Sequence, residues 1–469
     1  MRSIEKNFLN IYIMLQKIIV ILIFVSVDFA NKCCKNCCCC DDDVLESNGS
    51  AIGSNDAVLS PTLELYKVTD GGKSSVTERV LEAIESFETL YDQHQNSIKD
   101  YRSKHDYLIL SDSEGKYFNI YAWLRVGGVI KKYDFKNPIY VYFNLEGLKS
   151  GKIEFSNASP AEGFNGPKEN IYKPHEDASP SGKWFRIPKL ELTEDYNVKT
   201  LCHIGDFVDR GRNSLSSLLT LVYLKKIVCD AGSSDVLRII FGNHEFAVYS
   251  GLSEEYNDLT KEGLKASNVK GDILCKLCQI AVQQDLFVFG DVIDINNNKI
   301  ILVHKTLTEQ DLEYLSKVLG GVYNAGNIYE KIKDINSKIK EKCSDLEFMK
   351  DLMQKICCES SNYISDGGVN CISNQINGHI HKHFEKSKKS NYLSWLTGNY
   401  LEDKNILFVD NWSTTDVDRG SHVGDGRRGM SKASIFGLDK GKELKDFSLC
   451  IFVDDKKGAD NGKFFLYNR

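Results

Sequence analysis

The sequence has no excess of basic residues. Its 469 residues include 59 Lys and Arg against 65 Asp and Glu, which gives a net charge of −6. Proteins that bind nucleic acids usually carry a basic excess, so we expect no nucleic-acid partner. The apolar fraction of 42% is that of an ordinary globular protein. The length is sufficient for one large domain or two average ones with a buried core.

The N-terminus lacks an apolar run long enough to cross a bilayer, which takes about 20 residues. Residues 18–27, IIVILIFVSV, form a shorter run that follows Lys17. A basic residue before a short apolar core is typical of a secretory signal segment. An uncleaved anchor that extends back through residues 11–15 is one alternative, and a buried strand is another. We therefore predict that residues 1–30 are a signal segment or membrane anchor, and that the protein is exported or membrane-anchored through it.

Cysteine is clustered only after this apolar run. Six of the 15 cysteines lie in NKCCKNCCCC at residues 31–40. Adjacent cysteines beside a membrane segment are candidates for acylation, and an unstructured tract beside the membrane is the alternative. The remaining cysteines are odd in number and cannot all pair with one another. We interpret residues 31–58 as a cysteine-rich and polar linker.

The rest of the chain alternates between strand-like and helix-like segments. Apolar residues at helical spacing predict an amphipathic helix over residues 76–100, within a helical extension at 59–106. A main domain at 107–455 follows, with an insertion at about 131–195 and a tail at 456–469. Strands are predicted at 107–110, 139–143, 152–155, 184–187, 199–204, 236–241, 286–292, 299–303, 405–410, 433–437 and 448–453, and helices at 117–124, 215–226, 255–282 and 308–356.

Polar side chains recur where the apolar segments end. An α/β protein assembles its site from the loops that follow its strands. Carboxylate and imidazole ligands suit Mn, Fe or Zn, and one carboxylate can bridge two ions about 3.5–4 Å apart. The strand ends carry Asp112, Glu114, Asp206, Asp209, Arg210, Asn243, His244, His304, His379 and His381.

Three strings resemble the motifs of a known family. GDFVDRG at residues 205–211, GNHE at 242–245 and a later GH at 378–379 are similar, in order and in setting, to the motifs of the phosphoprotein-phosphatase branch of the calcineurin-like metallophosphoesterases. The resemblance covers roughly residues 107–455. It implies the α/β fold class, with a two-sheet β-sandwich flanked by helices, and here a strand-containing insertion.

The resemblance also implies a role for individual residues. Asp206 would bridge two divalent metal ions, of which Asp112 would bind one. Arg210 would hold phosphate oxygens, because its planar fork suits them. His244 would protonate the leaving oxygen, oriented and charged by Asp209. The other implied metal ligands are Asn243, His304 and His379.

Two positions depart from the family pattern. The family's first motif is Asp-x-His-Gly, but residues 111–115 read SDSEG, so Glu114 stands where a histidine ligand is expected and is predicted to bind the same ion. His381, the last residue of GHIH, matches a ligand of related phosphodiesterases and is a candidate to replace that histidine. Lys305 follows His304 where the family has glycine. One interpretation is that it binds phosphate, but we expect it to point to solvent.

The leading hypothesis is a metal-dependent phosphomonoester hydrolase, in particular a serine/threonine protein phosphatase. It would use two divalent ions (Mn, Fe or Zn) and activated water on a phosphorylated protein or a small phosphoester. Two alternatives stay open. GHIH favours a phosphodiesterase or nucleotide-phosphate hydrolase of the same superfamily. Glu114 favours an impaired module that binds phosphate or a partner.

Overall fold

The computed structural model describes twelve stretches of the chain, which contain most of the predicted main domain. The signal or anchor at 1–30 and the linker at 31–58 lie outside the described residues. Within the described part, no helix combines the length and the apolar character that crossing a membrane requires. The described residues are 76–132, 134–144, 153–156, 182–211, 213–249, 260–261, 272–318, 328–353, 371–378, 399–409, 431–454 and 463–468.

Strands and helices alternate through the first half of the described chain, and most strands fall where the apolar runs predict them. The helices are α1 (Val76–Gln93), α2 (Gln95–Lys104), α3 (Tyr117–Val126), α4 (Ser214–Asp230), α5 (Asn243–Tyr249), α6 (Asp272–Gln283), α7 (Glu309–Val318), α8 (Ile328–Lys342) and α9 (Leu346–Met353). The strands are β1 (Tyr107–Leu110), β2 (Asp134–Asn144), β3 (Ile153–Ser156), β4 (Gly182–Lys189), β5 (Thr200–Ile204), β6 (Leu237–Ile240), β7 (Gly290–Ile295), β8 (Asn298–Val303), β9 (Gln375–Asn377), β10 (Asn399–Leu401), β11 (Ile406–Phe408), β12 (Ser431–Leu438), β13 (Ser448–Asp454) and β14 (Lys463–Asn468).

The first mixed sheet has the strand order β14-β13-β12-β1-β5-β6. Its strands β1, β5 and β6 are parallel, with Leu108 opposite Leu201 and Leu201 opposite Leu237. All four residues of β1 are buried, as expected for a parallel strand covered on both faces. Because parallel strands end at the same edge of a sheet, the loops that follow β1, β5 and β6 meet there.

The second mixed sheet has the order β10-β11-β9-β8-β7. In it β8 and β9 are parallel, with Val303 opposite Asn377. A bridge between Ile240 and Val288 joins the end of β6 to the segment before β7. Residues of both sheets belong to one continuous hydrophobic core. Two mixed sheets with helices confirm the predicted α/β fold class.

The segment between β1 and β5 adds a third sheet. Strands β3, β2 and β4 form it in that order, all antiparallel. These strands lie within the predicted insertion at about 131–195. An isolated bridge between Ile130 and Leu192 closes the base of the segment.

Helix α1 is anchored to α3 by a buried ion pair. Arg125 donates from Nε and Nη2 to the two carboxylate oxygens of Glu88, at 2.7 and 2.8 Å. The Tyr121 hydroxyl donates to the same carboxylate, and the Arg125 guanidinium lies 4.3 Å from the centre of the Tyr91 ring. A bidentate pair of this kind is directional, so it fixes the angle at which α1 packs on the domain.

Three predicted elements differ from the structure. The helix predicted over 308–356 is interrupted in its described part by a turn at residues 343–345, between α8 and α9. The helix predicted over residues 76–100 is two helices, separated at His94, whose backbone leaves the helical region (φ −109°, ψ 18°). The strand predicted over 286–292 begins only at Gly290. The apolar side chains of Leu286 and Phe287 are buried in the turn after α6, and a short apolar run does not distinguish a strand from a buried turn.

Candidate functional site

The loops after β1 and β5 lie against each other and hold five site residues in a strained conformation. The backbone amides of Asp112 and Glu114 donate to the carbonyls of Gly205 and Asp206, at 3.0 and 2.7 Å. Left-handed φ angles cost non-glycine residues about 1–3 kcal/mol each and persist where the surroundings fix them. Such angles, between 46° and 67°, occur at Asp112, Glu114, Asp206, Asp209 and Arg210.

Three buried side chains from three strand ends form a group that can hold a metal ion. One ligand atom from each of Asp112, Asp206 and His304 lies within 4.8 Å of the other two. Asn243 extends the group, because its Oδ1 lies 3.0 Å from His304 Nε2. The Asp206 Oδ2 atom lies 3.2 Å from the same nitrogen. The donor set is therefore two carboxylates, an imidazole and an amide oxygen.

The tautomer of His304 is set by its second nitrogen. Its Nδ1 donates to the carbonyl of Ile204 at 2.8 Å, so in the neutral ring Nε2 carries the lone pair. Metal-binding histidines are commonly oriented in this way. In the neutral ring the Nε2 lone pair faces the oxygens of Asp206 and Asn243, so either a proton on Nε2 or a bound cation between these atoms relieves their repulsion. The donor set thus fits a divalent transition metal.

Electrostatics in the group favour a charged Asp206. Burial alone would raise the pKa of Asp206, but His304 and His244 outweigh burial and hold that pKa well below its usual value. Burial would lower the pKa of His304, and the Asp206 carboxylate raises it above the usual value. Asp206 is thus ionised and ready to bind a cation.

Two glycines allow the loops to approach the group. A Cβ on Gly242 would lie 2.0 Å from Asp206 Oδ1, and a Cβ on Gly378 would lie 2.3 Å from both the Ile204 carbonyl oxygen and Ser111 Oγ. Contacts below 3.0 Å cannot be accommodated against fixed backbone, so both positions require glycine. Gly378 begins the GHIH string, whose histidines His379 and His381 lie outside the described residues.

Next to the group lies a hydrogen-bonded series of three side chains. His244 Nδ1 donates to Asp209 Oδ2 at 2.9 Å, and Thr260 Oγ1 donates to Asp209 Oδ1 at 2.8 Å. His244 Nε2 lies 3.9 Å from Asp206 Oδ2. Burial would raise the pKa of Asp209, but hydrogen bonds from His244 and Thr260, with the His244 charge, lower it. An ionised Asp209 thus orients the imidazole of His244.

Glu114 is held by cations. Arg210 Nη1 lies 2.5 Å from Glu114 Oε1, and Lys116 Nζ lies 3.3 Å from Glu114 Oε2. The structure therefore places Glu114 with Arg210, and the metal-binding group found among the described residues does not include it. Its predicted role as a ligand remains a prediction.

A further buried carboxylate joins the motif loops. Glu245 accepts four backbone N–H groups, from Asp206, Phe207, Val208 and Gly242, at 2.7–2.9 Å. Burial and the neighbouring Asp206 raise the pKa of Glu245, while the N–H donors oppose that rise. Glu245 thus ties the GDFVDRG loop to the start of α5.

Some features of the site were not predicted from the sequence. Glu245 is the last residue of GNHE, but that string does not by itself indicate its contacts. Thr260 lies in an ordinary helical pattern that contains no signal for its contact. The expectation that Lys305 points to solvent is wrong, since it is only 7% exposed. Its charge contributes to the environment of the buried Asp311.

Comparison with known proteins assigns a family to this site. The family model described as calcineurin-like phosphoesterase matches residues 174–383. Residues 174–383 are a calcineurin-like phosphoesterase domain. The matched range contains the GDFVDRG and GNHE loops and begins beyond Asp112 and Glu114. Proteins of this family usually bind divalent metal ions, and the match supports a metal-dependent phosphoesterase domain in this chain.

Similar solved structures are distant. A cold-active protein tyrosine phosphatase of the psychrophile Shewanella sp. is 12% identical, with a TM-score of 0.34, over 74% of this chain and 78% of that one. A mutant cold-active protein tyrosine phosphatase is 12% identical, with a TM-score of 0.33 and the same coverage. A further structure of such an enzyme, at 1.1 Å, is 11% identical, with a TM-score of 0.34, over 74% and 76%. No curated protein matches the sequence.

Proposed function

We propose that this phosphoesterase hydrolyses phosphomonoesters, with phosphoserine and phosphothreonine proteins as its substrate class. The observation that carries the proposal is the His244–Asp209 pair, whose imidazole lies 3.9 Å from Asp206, a member of the metal-binding group. Monoester hydrolysis needs a proton donor for a basic leaving oxygen. The DRG form of the GDFVDRG string supports the protein-substrate class through the resemblance alone.

The metal ions would be held by Asp112, Asp206, Asn243 and His304, and we propose a dinuclear site bridged by Asp206. In such a site divalent ions supply Lewis-acid activation of water and of the phosphoryl oxygens. The ions are Mn, Fe or Zn by the donor set. His379 and His381 remain proposed ligands on the sequence pattern.

The side chains of this chain supply binding and proton transfer. Arg210 would bind phosphoryl oxygens through its guanidinium, which is 12% exposed at the site. His244, with Nδ1–H held on Asp209, would deliver a proton from Nε2 to the leaving oxygen. The proton goes to the released alcohol, and water supplies the oxygen that completes inorganic phosphate.

The proton-donor role is tested by varying the leaving group. We expect His244→Asn to lower kcat for phenyl phosphate by about 100-fold or more. The loss should be much smaller for p-nitrophenyl phosphate, because its anion leaves without a proton. Equal losses on both substrates would contradict the role. Asp206→Asn should abolish hydrolysis of both substrates.

The substrate class is tested by direct comparison. We expect the protein loaded with Mn²⁺ to hydrolyse p-nitrophenyl phosphate and a phosphoserine peptide faster than bis-p-nitrophenyl phosphate. A preference for the diester would favour the phosphodiesterase alternative, which the GHIH string suggests. Absence of hydrolysis with two bound ions would favour the binding module.

A further inference from the structure

The position that departs from the family pattern has a built environment in this chain. The Glu114 side chain is 1% exposed, and its two oxygens lie at 2.5 Å from Arg210 Nη1 and 3.3 Å from Lys116 Nζ. The two cationic side chains are each 12% exposed. One buried carboxylate thus lies between two cations at the rim of the site.

The Glu114 carboxylate accepts hydrogen bonds from two cationic side chains, Arg210 through Oε1 and Lys116 through Oε2. A buried carboxylate with hydrogen bonds from cations is a strong competitor for them, because charge-assisted hydrogen bonds are about twice as strong as neutral ones.

The contact is fixed by the backbone as well as by the side chains. The Glu114 amide donates to the Asp206 carbonyl at 2.7 Å, and the Gly115 amide donates to the Phe207 carbonyl at 3.1 Å. Glu114 and Arg210 both have left-handed φ angles, 46° and 57°. Such angles at both ends of one ion pair persist because the two loops fix these residues.

A phosphoryl group and the Glu114 carboxylate both accept hydrogen bonds from the same donor group, the Arg210 guanidinium. Carboxylate and phosphate oxygens both accept from the planar guanidinium fork. Glu114 Oε1 accepts a hydrogen bond from Arg210 Nη1. A phosphate that binds the Nη1 edge of the guanidinium must displace this contact, and one that binds another edge must share the guanidinium charge with Glu114. Lys116 can retain the displaced carboxylate, because it already contacts the other oxygen.

We propose that Glu114 is a specificity-determining residue that competes with phosphate for Arg210. This inference rests on the proposed function, in which Arg210 binds the phosphoryl group. Glu114 thereby weakens binding of free inorganic phosphate, the product. It also favours substrates that bring further contacts of their own, such as a phosphorylated peptide.

Binding of inorganic phosphate tests the proposal without any activity measurement. Isothermal titration of the full chain, both metal-free and loaded with Mn²⁺, should give a Kd for phosphate at least about tenfold lower in Glu114→Gln than in wild type. Mn²⁺ affinity should stay within about threefold. Glu114→Asn should behave in the same way, and its shorter side chain tolerates the left-handed φ if Glu114→Gln does not fold. Glu88→Gln is the matched control, because Glu88 also pairs with a buried arginine and should leave phosphate binding unchanged.

Each other outcome overturns the inference. Unchanged phosphate binding in Glu114→Gln would mean that Glu114 does not compete for Arg210, and weaker binding would mean that Glu114 holds Arg210 in place for phosphate. A tenfold loss of Mn²⁺ affinity would make Glu114 a metal ligand. Arg210→Gln separates the two proposals: it should weaken phosphate binding in wild type and remove the gain seen in Glu114→Gln. If Arg210→Gln has no effect in wild type, the proposed function fails at that residue. If Arg210→Gln weakens phosphate binding but Glu114→Gln with Arg210 intact gives no gain, this inference alone fails.

Discussion

Glu245 offers the sharpest test of how the site is built, since one carboxylate accepts four buried backbone donors. Oε2 accepts from Asp206 and Gly242, both at 2.7 Å. Oε1 accepts from Phe207 and Val208, at 2.8 and 2.9 Å. In Glu245→Gln one oxygen becomes an NH₂ group, so in either orientation two N–H donors face another donor.

The expected cost follows from those two donors. A buried polar group left unsatisfied costs about 1–3 kcal/mol, so Glu245→Gln should lower the free energy of unfolding by about 2–6 kcal/mol. Whole domains are stable by about 5–15 kcal/mol, so the loss is large. Mn²⁺ affinity should fall as well, because the same contacts hold the Asp206 loop.

Urea unfolding followed by tryptophan fluorescence measures this loss. The midpoint should fall at an unchanged m value. Glu85→Gln is the control, because Glu85 is exposed on α1 and its replacement should change stability by less than about 0.5 kcal/mol. A Glu245→Gln protein as stable as that control would refute the role assigned to Glu245.

Three further predictions concern neighbouring residues. Thr260→Val should lower kcat for phenyl phosphate about tenfold and shift the pH profile of kcat, because Asp209 loses a hydrogen bond. Thr260→Ser should restore the wild-type rate and pH profile. Equal rates in wild type, Thr260→Val and Thr260→Ser would contradict this prediction. Burial lowers the pKa of His203 from 6.5 to about 3, so the unfolded state binds the extra proton and stability falls as pH falls from 6.5 towards 3. Urea unfolding should show about 2 kcal/mol of this loss between pH 7 and 5, and His203→Asn should remove it; an unchanged loss would exclude His203 as its source. Gly242→Ala should reduce Mn²⁺ affinity at least about tenfold, because the added Cβ would lie 2.0 Å from Asp206 Oδ1. Unchanged Mn²⁺ affinity, measured by titration, would contradict the close approach of Gly242 to Asp206.

The fold was predictable where burial and periodicity agree. β1, β5 and β6 are short, mostly apolar and buried at all but one residue in β5 and one in β6, and each ends in a polar loop, so the sequence predicts their positions to within a residue. The strand order is not encoded in such local patterns. β12, far along the chain, pairs with β1, and this pairing depends on long-range packing.

The neighbourhood of the site was predictable for a similar reason. Parallel strands bring Asp112 and Asp206 to one edge, so their proximity follows from topology. The partner of Glu114 was not predictable, because the motif indicates which residue is missing and not where its replacement points. The contact of Thr260 with Asp209 joins residues 51 positions apart, and no periodic pattern encodes it.

Metal content tests the central claim most directly. After equilibration with Mn²⁺ and removal of free ions, we expect about two ions per chain in the wild-type protein, measured by elemental mass spectrometry. Asp206→Asn should retain less than about one, because Asp206 is the proposed bridging ligand. No bound metal in the wild type, or equal metal content in the two proteins, would contradict the account.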